Sequence, residues 1–146
     1  MKLVSAVLSL VLVAAAYVPR TDFSVIITIY FKGTRPLWTY RLTTRSITVT
    51  RHYTDGTPDS PVLERALTPK EIQALDRYFT VFNPGGLMHH YTDESIDGDS
   101  CSRYYFSINR SDRESYVCYA RPPELAGLNR MINGLLPRRY RLWSGE

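Results

Sequence analysis

Two cysteines, Cys101 and Cys118, bracket a stretch with the pattern of a β-hairpin, and this constrains the fold more than any other feature of the chain. Tyr104, Phe106 and Ile108 alternate with Tyr105 and Ser107, the period-two signature of a half-buried strand. Asn109-Arg110-Ser111-Asp112 supplies polar residues whose side chains bond readily to nearby backbone in turns. From Ser115 to Ala120 the alternation resumes, with Val117 and Tyr119 on one side and Tyr116 and Cys118 on the other. A turn centred between Arg110 and Ser111 sets Cys118 opposite Arg103, with Cys101 diagonal to it. A slip of two residues sets the cysteines directly opposite each other. Either register brings both thiols to one face, near the short separation a disulfide requires. In an exported chain the expectation is a Cys101–Cys118 bridge, with two buried free thiols as the alternative.

Export is the expectation from the N-terminus. Lys2, the apolar run Leu3 to Val13 and the small residues Ala14-Ala15-Ala16 have the layout of a secretory signal peptide. Cleavage after Ala16 makes residues 1–16 the leader and leaves 17–146 as one domain starting at Tyr17. The apolar run is short for a membrane span, so no stable span is expected once the leader is removed; an uncleaved anchor is the alternative. The formal charge of +4 becomes +3 without Lys2, seventeen basic residues against fourteen acidic. That mild excess does not suggest a nucleic-acid partner.

Three strands are predicted next. Val25, Ile27, Ile29 and Phe31 share one face of the first, opposite Ser24, Thr28 and Tyr30, with Ile26 as the exception. Gly33-Thr34-Arg35-Pro36 marks a turn. Trp38, Tyr40 and Leu42 then alternate with Thr39 and Arg41. In the third strand Ile47, Val49 and Tyr53 oppose Thr48, Thr50 and His52. Short links imply antiparallel neighbours. After a loop from Asp55 to Ser60, Thr68-Pro69-Lys70-Glu71 reads as a capping box, and Ile72, Leu75, Phe79 and Phe82 form the buried stripe of a helix ended by Asn83-Pro84-Gly85-Gly86.

A second helix follows the hairpin. Pro122-Pro123-Glu124 suits a first turn. Leu125, Leu128, Ile132, Leu135 and Leu136 recur at helical spacing up to Pro137, although Gly127 and Gly134 each weaken the helix by about 1 kcal/mol. Arg138, Arg139 and Arg141 then alternate with Tyr140, Leu142 and Trp143, as an edge strand or an exposed basic surface. The expected fold is α+β: an antiparallel sheet of about five strands with two helices on one face, in the order β-β-β-α-β-β-α.

Asn83 to Ser100 reads as a long loop carrying His89, His90 and the acids Asp93, Glu94, Asp97 and Asp99. The acids do not match a calcium-loop spacing, and adjacent histidines are poor co-ligands, so no metal site and no cofactor are expected. No spacing singles out a nucleophile with a base, a carboxylate pair or a phosphate loop, so the chain reads as non-catalytic. Asn109-Arg110-Ser111 matches a glycosylation acceptor at the hairpin tip, relevant in a eukaryotic secretory pathway.

Eleven Tyr, five Phe and two Trp make the chain rich in aromatics, and tyrosine and arginine are enriched in recognition surfaces. The candidate binding residues are Arg103, Tyr104, Tyr116, Tyr119, Arg121, Arg139, Tyr140 and Arg141; burial of the tyrosines in the core is the competing reading. The ending Ile132-Asn133-Gly134-Leu135-Leu136-Pro137-Arg138-Arg139-Tyr140-Arg141-Leu142-Trp143 resembles the IN-x-LLP-x-x-Y-R tails of small exported bacterial proteins of unknown function. The element order is also similar to that of emfourin-like inhibitors of secreted metalloproteases, with no inhibitory residue matched. The first resemblance implies a periplasmic or secreted protein and a fold, without an activity. The functional expectation is an exported protein that binds a protein partner, as an inhibitor of a secreted enzyme in its sharpest form. An envelope structural or accessory protein is the alternative, and a small hydrolase comes third.

Overall fold

The computed structural model describes residues 17–31, 35–93 and 100–142. The leader, part of the predicted Gly33–Pro36 turn, the acids Glu94, Asp97 and Asp99, and Trp143 lie outside the described residues.

The fold is α+β, with a mixed sheet of seven strands and two helices. The strands are β1 (Phe23–Phe31), β2 (Arg35–Thr43), β3 (Ser46–His52), β4 (Pro58–Ala66), β5 (His90–Thr92), β6 (Ser100–Ile108) and β7 (Ser111–Cys118). Helix α1 (Pro69–Val81) follows β4, and α2 (Pro123–Leu135) follows β7. In space the sheet runs β4-β3-β2-β1-β6-β7-β5. All neighbours are antiparallel except β5, which lies parallel to β7.

The expected five-strand antiparallel sheet and its element order are therefore corrected by two edge strands. β4 carries Pro58 and Pro61, and its pairing with β3 is irregular around Thr50. Prolines cannot donate to a ladder, which hides such a strand from a propensity reading yet suits a sheet edge. β5 is only three residues long and pairs His90, Tyr91 and Thr92 with Tyr116, Val117 and Cys118. Residues 83–93 of the segment expected to be a long loop therefore carry a turn and a strand. A 3-10 turn spans Pro84–Gly86, Leu87 and Tyr91 are buried, the Ser115 hydroxyl donates to the Met88 carbonyl at 2.8 Å, and Arg113 Nη2 donates to the Leu87 carbonyl.

Alternation along β1 places Phe23, Val25 and Ile27 under the helices, beside Leu42 and Tyr40 of β2 and Ile108, Phe106 and Tyr104 of β6. Helix α1 seats Phe79 on Phe23, with ring centroids 4.4 Å apart, and Phe82 on Phe106 at 5.3 Å. Burial of each phenyl ring contributes about 2–3 kcal/mol. Helix α2 buries Leu125, Leu128 and Ile132 on the same side, and the Tyr104 hydroxyl donates to Asn129 at 3.2 Å.

The stripe of α1 also holds a buried acid, Asp76, only 3% exposed. Its carboxylate accepts hydrogen bonds from the Tyr17 hydroxyl and from the Thr21 and Arg20 amides, the latter two at 2.8 and 3.2 Å, tying the entry segment to the helix. Burial alone would raise its pKa, but the donated hydrogen bonds outweigh it and the carboxyl titrates below its ordinary value.

The predicted capping box at Thr68 and Glu71 is present. Glu71 also pairs with Arg65 of β4, at 2.8 and 3.0 Å, and Arg65 Nη2 donates to the Leu135 carbonyl at the end of α2 at 2.8 Å. One guanidinium thus joins β4, the start of α1 and the end of α2. Chiefly through the Arg65 hydrogen bonds, working against desolvation, the Glu71 carboxyl is held down from 4.5 to about 2. A depressed carboxylate pKa stabilises the fold above its unfolded value, and that contribution is lost as pH falls towards the folded one. Glu71→Gln is expected to cost about 1–2 kcal/mol at pH 7. Urea melts should show the gap from the parent narrowing between pH 5 and pH 2; a gap that does not depend on pH would contradict this.

Candidate functional site

With both helices on one face of the sheet, the opposite face is the candidate site. Its side chains follow from the strand registers. Thr50 pairs with Thr39, Thr39 with Thr28, Thr28 with Arg103, Arg103 with Tyr116, and Tyr116 with His90. Because paired residues share a face, this is one polar row crossing six strands, with Arg103 near its middle. In the next rank, Tyr30 pairs with Cys101 and Cys101 with Cys118.

The two cysteines are bridged, and they lie directly opposite each other with Cα atoms 4.3 Å apart. The register is therefore the slipped one. Asn109 and Arg110 both take positive φ, 49° and 67°, forming a two-residue hairpin turn whose twist matches the strands. Asn109 is fixed there by exchanging hydrogen bonds with Asp22: its amide donates to the Asp22 carbonyl at 2.8 Å, and its Oδ1 accepts from the Asp22 amide at 3.0 Å. On the same face the rings of Tyr30 and Tyr116 meet with centroids 6.2 Å apart, and His90 lies 5.9 Å from Tyr116.

Arg103 Nε lies 3.6 Å from Glu114 Oε1, an exposed pair worth little to stability. Next to it, the Tyr105 hydroxyl donates to Asp112, which raises the tyrosine pKa; Asp112 is lowered by hydrogen bonds from Ser107 and then Tyr105. At the other end of the row, His52 Nδ1 donates to the Gly56 carbonyl at 3.2 Å, and its Nε2 faces the Thr39 hydroxyl at 2.7 Å.

The candidate binding residues divide among four places. Arg103 and Tyr116 lie on the helix-free face. Tyr104 points the other way, 6% exposed beneath α2, and does not contribute to a surface. Tyr119, with φ 56°, and the exposed Arg121 lie in the link between β7 and α2. Arg139, Tyr140 and Arg141 belong to the tail on the helix side, where Tyr140 packs 6.4 Å from Trp38. The tail is not an edge strand: residues Arg138–Tyr140 form a 3-10 turn with Arg138, Arg139 and Arg141 exposed. The eight residues therefore do not form one surface. The parity of β6 gives the face directly: Tyr104 shares the phase of Phe106 and Ile108, so Tyr105 is the outward tyrosine, alongside Tyr30 of β1.

Among the described residues, no group of three His, Cys, Asp or Glu side chains is placed to hold a metal ion. The rings of His89 and His90 meet edge to face at 4.7 Å, and His89 Nδ1 donates to the Glu114 carbonyl at 3.2 Å. No helix among the described residues is long and apolar enough to cross a membrane. No protein-family model matches the chain, and no curated protein matches it.

Because the bridge spans a sequence separation of 17 residues, its loss should cost about 3 kcal/mol. The Cys101→Ser/Cys118→Ser variant is expected to fold with a lower urea midpoint and a somewhat larger m-value, since the unbridged denatured chain is less compact. An unchanged midpoint would show that the bridge does not constrain the hairpin.

Proposed function

We propose that the chain is an exported, non-catalytic protein that binds a protein partner through the helix-free face of its sheet. The observation that carries this reading is the make-up of that face: Arg103, Tyr116, Tyr30 and Tyr105 stand together on a polar, threonine-lined sheet instead of under a helical layer. Arginine and tyrosine combine a large contact area with directed hydrogen bonds at modest entropic cost, and are over-represented where partners bind. The Cys101–Cys118 bridge fits an oxidising compartment, where such bridges persist. Inhibition of a secreted enzyme is the sharper form of the proposal.

The test uses the chain from Tyr17 onward as bait against envelope and culture-medium extracts, alongside an Arg103→Ala/Tyr116→Ala variant. Both side chains are at least partly exposed, so the variant is expected to melt within a few degrees of the parent. A stoichiometric partner retained by the parent and lost by the variant supports the proposal; a protease in that position would narrow it to inhibition. An identical set of captured proteins on both baits would contradict it.

A further inference from the structure

A second surface, on the helix side, is separate from the one proposed above. After α2 the chain stops at Pro137 and makes the Arg138–Tyr140 3-10 turn. The turn is held at both ends. The Asn133 side chain grips the Leu142 backbone, accepting its amide at 2.6 Å and donating to its carbonyl at 2.9 Å. Tyr140 is half-buried against Trp38 with ring centroids 6.4 Å apart, and the Arg139 guanidinium lies 4.8 Å over the Tyr140 ring. Arg138, Arg139 and Arg141 are exposed, and among the described residues no acid pairs with any of them. Among the described residues, the one hydrogen bond their side chains make is a long one, 3.5 Å from Arg141 Nε to the Leu136 carbonyl. No acidic residue occurs in the sequence between Glu124 and Glu146.

Three like charges within four residues repel one another, and here the 3-10 turn, the Asn133–Leu142 hydrogen bonds and the Tyr140–Trp38 contact keep the backbone that carries them in one conformation. We infer that this turn is a docking site for an acidic segment of a partner protein. Guanidinium forks bind carboxylates in a planar, two-bonded geometry, and holding the backbone that carries them in one conformation removes part of the ordering cost of binding. Anionic lipid is the less suitable occupant, because lipid-binding clusters carry roughly four to eight basic residues, and this turn presents three. The two surfaces fail independently, since neither Arg103 nor Tyr116 takes part in the turn.

The probe is a fluorescein-labelled peptide of ten alternating Glu and Gly residues, followed by anisotropy at low and moderate salt. The partner arm is vesicles of phosphatidylglycerol in phosphatidylcholine. Binding by the parent should weaken at least tenfold in Arg138→Gln/Arg139→Gln, fall with added salt, and persist in Arg130→Gln, which removes an exposed arginine of α2 outside the turn. Thermal melts of all three proteins should coincide. The inference is overturned by equal peptide binding in parent and double variant, by loss in Arg130→Gln as large as in the double variant, or by no peptide binding at low salt. Vesicle binding without peptide binding would also overturn it, in favour of a lipid surface.

Discussion

The structure depends on the phase of one strand. β1 sits near the centre of the sheet, with β2 on one side and β6 on the other. Its odd-numbered positions from Phe23 to Ile27 are almost fully buried under the helices, while Ser24, Ile26, Thr28 and Tyr30 face the other way. A one-residue slip against its neighbours would exchange these sets, exposing Phe23, Val25 and Ile27 and burying hydroxyls without partners. One device at an end of the β1–β6 pairing helps hold this phase, and a second fixes β6 against β7. At one end Asn109 and Asp22 exchange hydrogen bonds, and at the other the Cys101–Cys118 bridge ties β6 to β7 beside Tyr30.

The helices then follow from the side β1 presents. Phe79 of α1 and Phe82, which caps its end, meet Phe23 and Phe106, and Asn129 of α2 meets the Tyr104 hydroxyl. Arg65 closes the layer by bonding Glu71 near the start of α1 and the Leu135 carbonyl at the end of α2. Its position is favourable at both: it neutralises a capping acid and meets the negative end of a helix dipole. The opposite face is left with a row of polar side chains from Thr50 to His90, joined on the central strands by the aliphatic Ile26 and by Tyr30 and Tyr105.

Those parts of the fold written in regular periods were legible in the sequence. The alternation in β1, β2, β3 and β6, the Thr68–Glu71 capping box and the leucine stripe of α2 all predicted elements close to those observed. β4 was not legible because Pro58 and Pro61 read as loop, and edge position alone makes them acceptable. β5 was too short to show a period, and it exists because β7 offers it a partner. The hairpin register depended on Asn109 and Arg110 entering the left-handed region, which the glycine-free turn did not advertise. Residue type alone does not separate inward from outward tyrosines; strand phase does, and it puts Tyr105 on the open face in place of Tyr104. Asp76 was invisible as well, since an acid on a buried helix stripe makes sense only once Tyr17 and Thr21 are seen to donate to it.

A two-faced sheet with one covered and one open side is the central claim, and two neighbouring residues report on it directly. Tyr104 lies under α2 at 6% exposure, and Tyr105, one residue on, points to the open face. Nitration of the native protein with tetranitromethane, followed by peptide mass mapping, reads the two separately. Tyr105 should be modified while Tyr104 is spared, with both reacting after unfolding. Equal modification of the two in the native protein, or preferential modification of Tyr104, would contradict the assignment of faces and the surface built on it.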